Sequence, residues 1–168
     1  MDLYERQGQR DKLIAELEYH VFTLFSGGME MLNRLKKSCT PSQWIEYREQ
    51  YLSGRNSYCK LELLESEGLW ERLLEAVTAS ERLSTLDRYE SALKERYPDK
   101  MLEAYASILI EEASEVSGRK RYQELARYLK KLRSYPDGPE RAAQMAEDWR
   151  ARYVRRRAMM EELRNAGF

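Results

Sequence analysis

The side chains with the greatest chemical reach in this chain are few and scattered. His20 is the single histidine, and Glu16, one helical turn earlier, would share its face. The two could begin a metal site, but no third ligand stands at helical spacing. The Glu-x-x-His signature of di-metal carboxylate bundles is also absent. Cys39 and Cys59 are the two thiols, and no second histidine is present to take a proton from either. The serines form no Gly-x-Ser-x-Gly elbow, and neither a Walker loop nor a dinucleotide fingerprint occurs. Glu111, Glu112 and Glu115 gather opposite the apolar stripe of their helix, as a solvated face would. No catalytic, cofactor-binding or metal-ligating residue is therefore assigned. The expectation is a protein that is not an enzyme, needs no cofactor and takes no small-molecule substrate.

One cluster is denser than its surroundings. Arg150, Arg152, Arg155, Arg156 and Arg157 crowd together, preceded by Lys130, Lys131 and Arg133. Such a group can neutralise nucleic-acid phosphates or meet an acidic partner. Glu147, Asp148, Glu161 and Glu162 are interleaved with it, and this interleaving favours surface ion pairs instead. Formal net charge is zero, yet residues 118–168 hold 14 Lys/Arg against 7 Asp/Glu, and the rest of the chain holds 15 against 22. An acidic front and a basic back favour self-association or two different partners.

The elements that must position these groups are helices. Apolar residues recur at i, i+3, i+4 and i+7 in Leu102, Tyr105, Ala106, Leu109, Ala113 and Val116. The same period runs through Tyr122, Leu125, Ala126, Leu129 and Leu132, and through Leu13, Ile14, Leu17, Val21, Leu24 and Phe25. No useful segment alternates as a half-buried strand does. Helical runs are read at 2–7, 9–25, 29–38, 41–53, 56–66, 69–79, 81–97, 99–117, 119–134, 139–153 and 155–166. Fusion of neighbours such as 2–7 with 9–25, or 69–79 with 81–97, would leave eight or nine.

The breaks carry their own chemistry. Thr40-Pro41-Ser42-Gln43 predicts a capping box, and Asp137-Gly138-Pro139-Glu140 repeats its logic. Pro98 should end one helix and start the next. Gly27-Gly28, Gly54, Gly68 and Gly118 follow apolar runs, where a left-handed cap is wanted. Trp44, Trp70 and Trp149 sit on apolar stripes, while Tyr51, Tyr97, Tyr135 and Tyr153 lie near helix ends with ring buried and hydroxyl wet. Core packing and a peptide-binding groove both fit these aromatics.

An internal echo, Gly68-Leu69-Trp70 with Leu73 and Leu74, returns at Gly118 with Tyr122 and Leu125 and more faintly at Gly8 with Leu13 and Ile14. The fold read from this is all-α: antiparallel helical hairpins stacked as an irregular tetratricopeptide-like repeat, an α-α superhelix forming one domain over 1–168. No apolar run reaches the roughly 20 residues of a membrane span. The N-terminus, Met1-Asp2-Leu3-Tyr4-Glu5, lacks the apolar core of an export signal, so a cytoplasmic protein is expected.

The last part of the chain has a likeness. Tyr122-Gln123-Glu124-Leu125-Ala126, Leu129-Lys130-Lys131-Leu132, and the run from Arg152-Tyr153-Val154 through Met159-Met160-Glu161-Glu162-Leu163 resemble the helical C-terminal region of bacterial SWIM zinc-finger proteins. The resemblance implies a tetratricopeptide-like helical region belonging to a larger protein of that type. It does not bring zinc with it, because that finger needs Cys-x-Cys and Cys-x-His, and Cys39, Cys59 and His20 supply neither. The expected function is a non-enzymatic scaffold for another protein, or for another segment of its own larger protein. The alternative is a nucleic-acid-associated module acting through the basic C-terminal face.

Overall fold

A computed structural model describes residues 8–54 and 57–168. The described chain is all-helical: α1 (Arg10–Glu18), a π-helical turn (Tyr19–Thr23), α2 (Gly28–Ser38), α3 (Pro41–Ser53), α4 (Lys60–Ser66), α5 (Trp70–Thr78), α6 (Leu83–Leu93), α7 (Pro98–Glu115), α8 (Arg119–Leu132), α9 (Gly138–Arg152) and α10 (Arg157–Asn165). No strand occurs among the described residues. The predicted run 2–7 lies outside them. The chain divides into two compact units, Met1–Leu73 and Leu74–Phe168, and each is taken by itself.

In the first unit Leu13, Leu17 and Val21 are buried as the stripe requires, with Leu32, Leu35, Trp44, Leu52, Leu63 and Leu64 completing the core. The stripe does not continue to Leu24 and Phe25, which are 48% and 45% exposed. The cause is the π turn, where the N–H of Leu24 bonds the carbonyl of Tyr19 five residues back. That extra residue per turn rotates everything beyond it off the apolar face. The capping box forms as predicted: Gln43 N–H donates to Thr40 Oγ1 and Thr40 N–H donates to Gln43 Oε1 at 2.9 Å. Gly54 departs from expectation, with an ordinary φ of −69° rather than a left-handed one.

In the second unit the stripes of α7 and α8 are buried nearly throughout, with Tyr105, Leu109, Leu129 and Leu132 at 0% exposure. Fully burying each such side chain contributes about 1.5–3 kcal/mol. The runs 69–79 and 81–97 do not fuse. Glu81 takes φ +51° between α5 and α6, a left-handed conformation that no helix continues through. Pro98 opens α7 as predicted, behind a Tyr97 with non-helical backbone (φ −137°, ψ 53°). Asp137 does not cap α9 with its side chain; it adopts φ +56° instead, and the short turn closes on Gly138. A Cβ at Gly138 would lie 1.8 Å from the Leu132 carbonyl oxygen, so only glycine fits there.

Polar contacts show how the helices of this unit run. Arg119 at the start of α8 reaches Glu161 and Glu162 in α10, and Arg133 just beyond its end donates to the Gly167 carbonyl at 2.8 Å. α8 and α10 therefore run the same way. Asp87 and Glu90 of α6 meet Tyr128, Lys131 and Tyr135 in matching order, so α6 runs with α8. α7 packs against α6, α8 and α9.

Candidate functional site

The five arginines singled out from the sequence separate into two groups. Arg156 is turned inward. Its guanidinium donates to the carbonyls of Ala113 at 2.7 Å, Ser114 at 3.0 Å and Val116 at 3.3 Å, and stacks on Tyr153. These carbonyls lie at the end of α7, where they have no partner within the helix and the dipole favours a cation. Arg150, Arg152, Arg155 and Arg157 are exposed and form no ion pair among the described residues. The pairing expected of Glu161 and Glu162 goes to Arg119 instead. Glu162, expected in a surface ion pair, is buried at 7%.

The residues that could do covalent or metal chemistry are not assembled for it. His20 lies in the π turn with Nδ1 3.1 Å from Ser26 Oγ. No described carboxylate bonds its other nitrogen, so the serine–histidine pair has no third member to orient the ring. Cys39 and Cys59 are free, and burial pushes both thiols up, away from the reactive thiolate. No group of three metal-ligating side chains occurs among the described residues. A small cavity of about 100 Å³ in the first unit is lined by Val21, Phe25, Leu32, Tyr51 and Tyr58.

Two polar hubs escaped the sequence. In the first unit, Glu67 accepts from Lys36 at 2.7 Å, Trp44 Nε1 at 3.0 Å and Arg48 at 3.4 Å. Burial would raise its carboxyl, but these donors outweigh burial and hold it below the usual value. In the second unit, Asp87 accepts from Tyr105 at 2.8 Å, Tyr128 at 2.6 Å and Lys131 at 2.6 Å. Lys131 also pairs with Glu90, which accepts from Tyr135 at 2.6 Å. Asp87 is likewise lowered against the pull of burial. Burial together with Asp87 pushes the Tyr128 phenol up to about 12, and Tyr105 and Tyr135 are raised as well. A phenol so raised is a donor and no base. The partners stand 41 to 45 residues from Asp87 or Glu90 for Tyr128, Lys131 and Tyr135, beyond any local motif.

The open space of the second unit lies along α7. On one side a groove of about 400 Å³ runs between α5 and α7, lined by Leu74, Glu75, Thr78, Lys100, Glu103 and Ala104. On the other side a groove of about 260 Å³ runs between α7 and α9, lined by Asp99, Leu102, Glu103, Asp137, Glu140 and Arg141. Glu103 stands in both. Leu74 and Leu102 are buried beneath them, at 4% and 5% exposure. No family model, no curated protein and no solved structure matches this chain. No described helix is long and apolar enough to cross a membrane.

Proposed function

We propose that this chain is a non-enzymatic helical-repeat scaffold that holds a segment of another protein in the grooves along α7. In this reading α5/α6, α7/α8 and α9/α10 are three antiparallel hairpins of an irregular tetratricopeptide-like array. The parallel course of α6, α8 and α10 supports it. Arrays of stacked helical pairs bind along the extended surface that their repetition creates. The scaffold works in the cytoplasm, and the likeness of 122–163 to the helical region of SWIM-type proteins supports its belonging to a larger protein of that kind.

The observation that carries the reading is the pair of adjoining grooves that share Glu103 and rest on Leu74 and Leu102. An apolar floor with a polar rim is the anatomy of a protein-binding surface. Affinity capture from the source cells, comparing the wild-type chain with Ala104→Trp, tests it. Quantitative mass spectrometry should show specific proteins lost when the indole fills the groove. Recovery of the same proteins by both forms would move binding elsewhere.

A second reading has its own support. Arg150, Arg152, Arg155 and Arg157 are exposed and lack carboxylate partners among the described residues, so a nucleic-acid backbone could meet them.

A further inference from the structure

We infer that the occupant of the grooves along α7 is an extended, basic peptide segment with Lys or Arg at alternate positions; this rests on the reading of those grooves as the docking face. The argument begins with unbalanced charge. Glu75, Asp99, Glu103, Asp137 and Glu140 line the two grooves against Lys100 and Arg141. Arg141 is already engaged, 3.2 Å from Glu103. Glu75, Asp99, Asp137 and Glu140 make no ion pair among the described residues and are exposed. Four carboxylates thus stand against the single cation Lys100 around a floor that includes buried leucines. An acidic or neutral segment would be repelled or left unpaired there, whereas a basic one would not.

Dimensions fix the shape. Neighbouring helices lie about 8–10 Å apart, so the path from α5 across α7 to α9 is roughly 16–20 Å. An extended chain covers that with five or six residues at about 3.3 Å each. In an extended chain alternate side chains face opposite ways. One set, apolar, can sit on Leu74, Ala104 and Leu102. The other, long and basic, can lay its methylene stems over the helices and bring its charges to Glu75 at one end, Glu103 in the middle and Glu140 at the other.

The test uses the full chain and fluorescein-labelled eight-residue peptides of alternating Leu and Arg, or of alternating Leu and Glu. Fluorescence anisotropy should give saturable binding of the Leu-Arg peptide, on the order of 10 µM at low salt. The Leu-Glu peptide should bind at least about tenfold more weakly. Glu103→Gln combined with Glu140→Gln should weaken the Leu-Arg peptide about tenfold, and Ala104→Trp should abolish its binding, with helix content by circular dichroism unchanged in both. Equal binding of both peptides, each lost in Ala104→Trp, would overturn the basic occupant and leave the groove as a docking face. Binding of neither, or binding indifferent to Ala104→Trp, would overturn the docking face itself. If sedimentation shows the chain self-associating and Ala104→Trp makes it monomeric, the occupant is a second copy of the chain and the peptide proposal fails.

Discussion

Asp87 is held by three donors from two other helices, and the consequence can be measured. Tyr105 comes from α7, and Tyr128 and Lys131 come from α8. Replacing the carboxylate by the amide in Asp87→Asn leaves Tyr105 and Tyr128 with a weaker acceptor and Lys131 without this counter-charge. A loss of about 1–3 kcal/mol is expected, toward the low end because the Asp87 side chain is 38% exposed and solvent screens its charge. The sign with pH follows from the lowered folded value of Asp87. The carboxylate's contribution is fully present above its ordinary unfolded value near 4, and is lost as pH falls from there through the folded value. Urea unfolding at pH 7 and pH 3 should therefore separate wild type from Asp87→Asn at the higher pH and bring them together at the lower. An equal gap at both would mean that the charge is not what organises the tyrosines. None of this was legible in the sequence. Tyr105 read there as part of an apolar stripe and Tyr135 as a helix-end ring with its hydroxyl wet, because their acidic partners lie on other helices, 18 and 45 residues away. The same distance hid the grooves, whose lining comes from three helices far apart in the chain.

Whole helices were more legible than single side chains, because an apolar stripe at helical period survives any arrangement of partners. The stripes of α7 and α8 are buried as the spacing required except at Val116, which lies just past the end of α7 and is half-buried. Failures fall where one local event interrupts the period: the π turn that exposes Leu24 and Phe25, and the left-handed Glu81 that parts α5 from α6. The last helix shows both sides. Of the apolar residues Met159, Met160 and Leu163, the first and last are buried at 1% and Met160 is only half-buried, while Glu162 turns inward beside them to meet Arg119. α10 therefore acts as a cover on α8, fastened at one end by Arg119 and at the other by Arg133 on Gly167 and the Phe168 ring. Burying Met159 and Leu163 together contributes about 3–6 kcal/mol, an upper bound since unfolded chains already hide some apolar surface. A chain stopped after Tyr153 should melt lower by roughly 6 °C or more and aggregate through the uncovered side of α8. A truncated chain that stays monomeric and melts at the wild-type temperature would make α10 an appendage.

At the scale of the molecule, neutrality is a cancellation between neighbouring helices. α7 carries five acids and one base, and α8 carries six bases and one acid. Much of the basic charge is already engaged: Arg119 with Glu161 and Glu162, Arg121 with Glu124, and Lys131 with Asp87 and Glu90. What the sequence singled out as one cluster of five arginines is, after Arg156 is bound to the end of α7, a set of four exposed ones. Four phosphate contacts give a salt slope of about −3.6 in log affinity against log salt, which is roughly a hundredfold loss between 50 and 200 mM. Binding to a generic 20-base-pair duplex should therefore be detectable at low salt and weak at physiological salt, weaker than micromolar, as for non-specific contacts in general. Electrophoretic mobility shift across that salt range, with Arg155→Glu and Arg157→Glu as controls, measures it. Submicromolar binding at physiological salt that both reversals abolish would place nucleic acid ahead of a peptide as the partner. Binding that survives the reversals would instead assign the phosphates to α8, whose Lys120, Arg127 and Lys130 are exposed and share one side of the helix at i, i+7 and i+10.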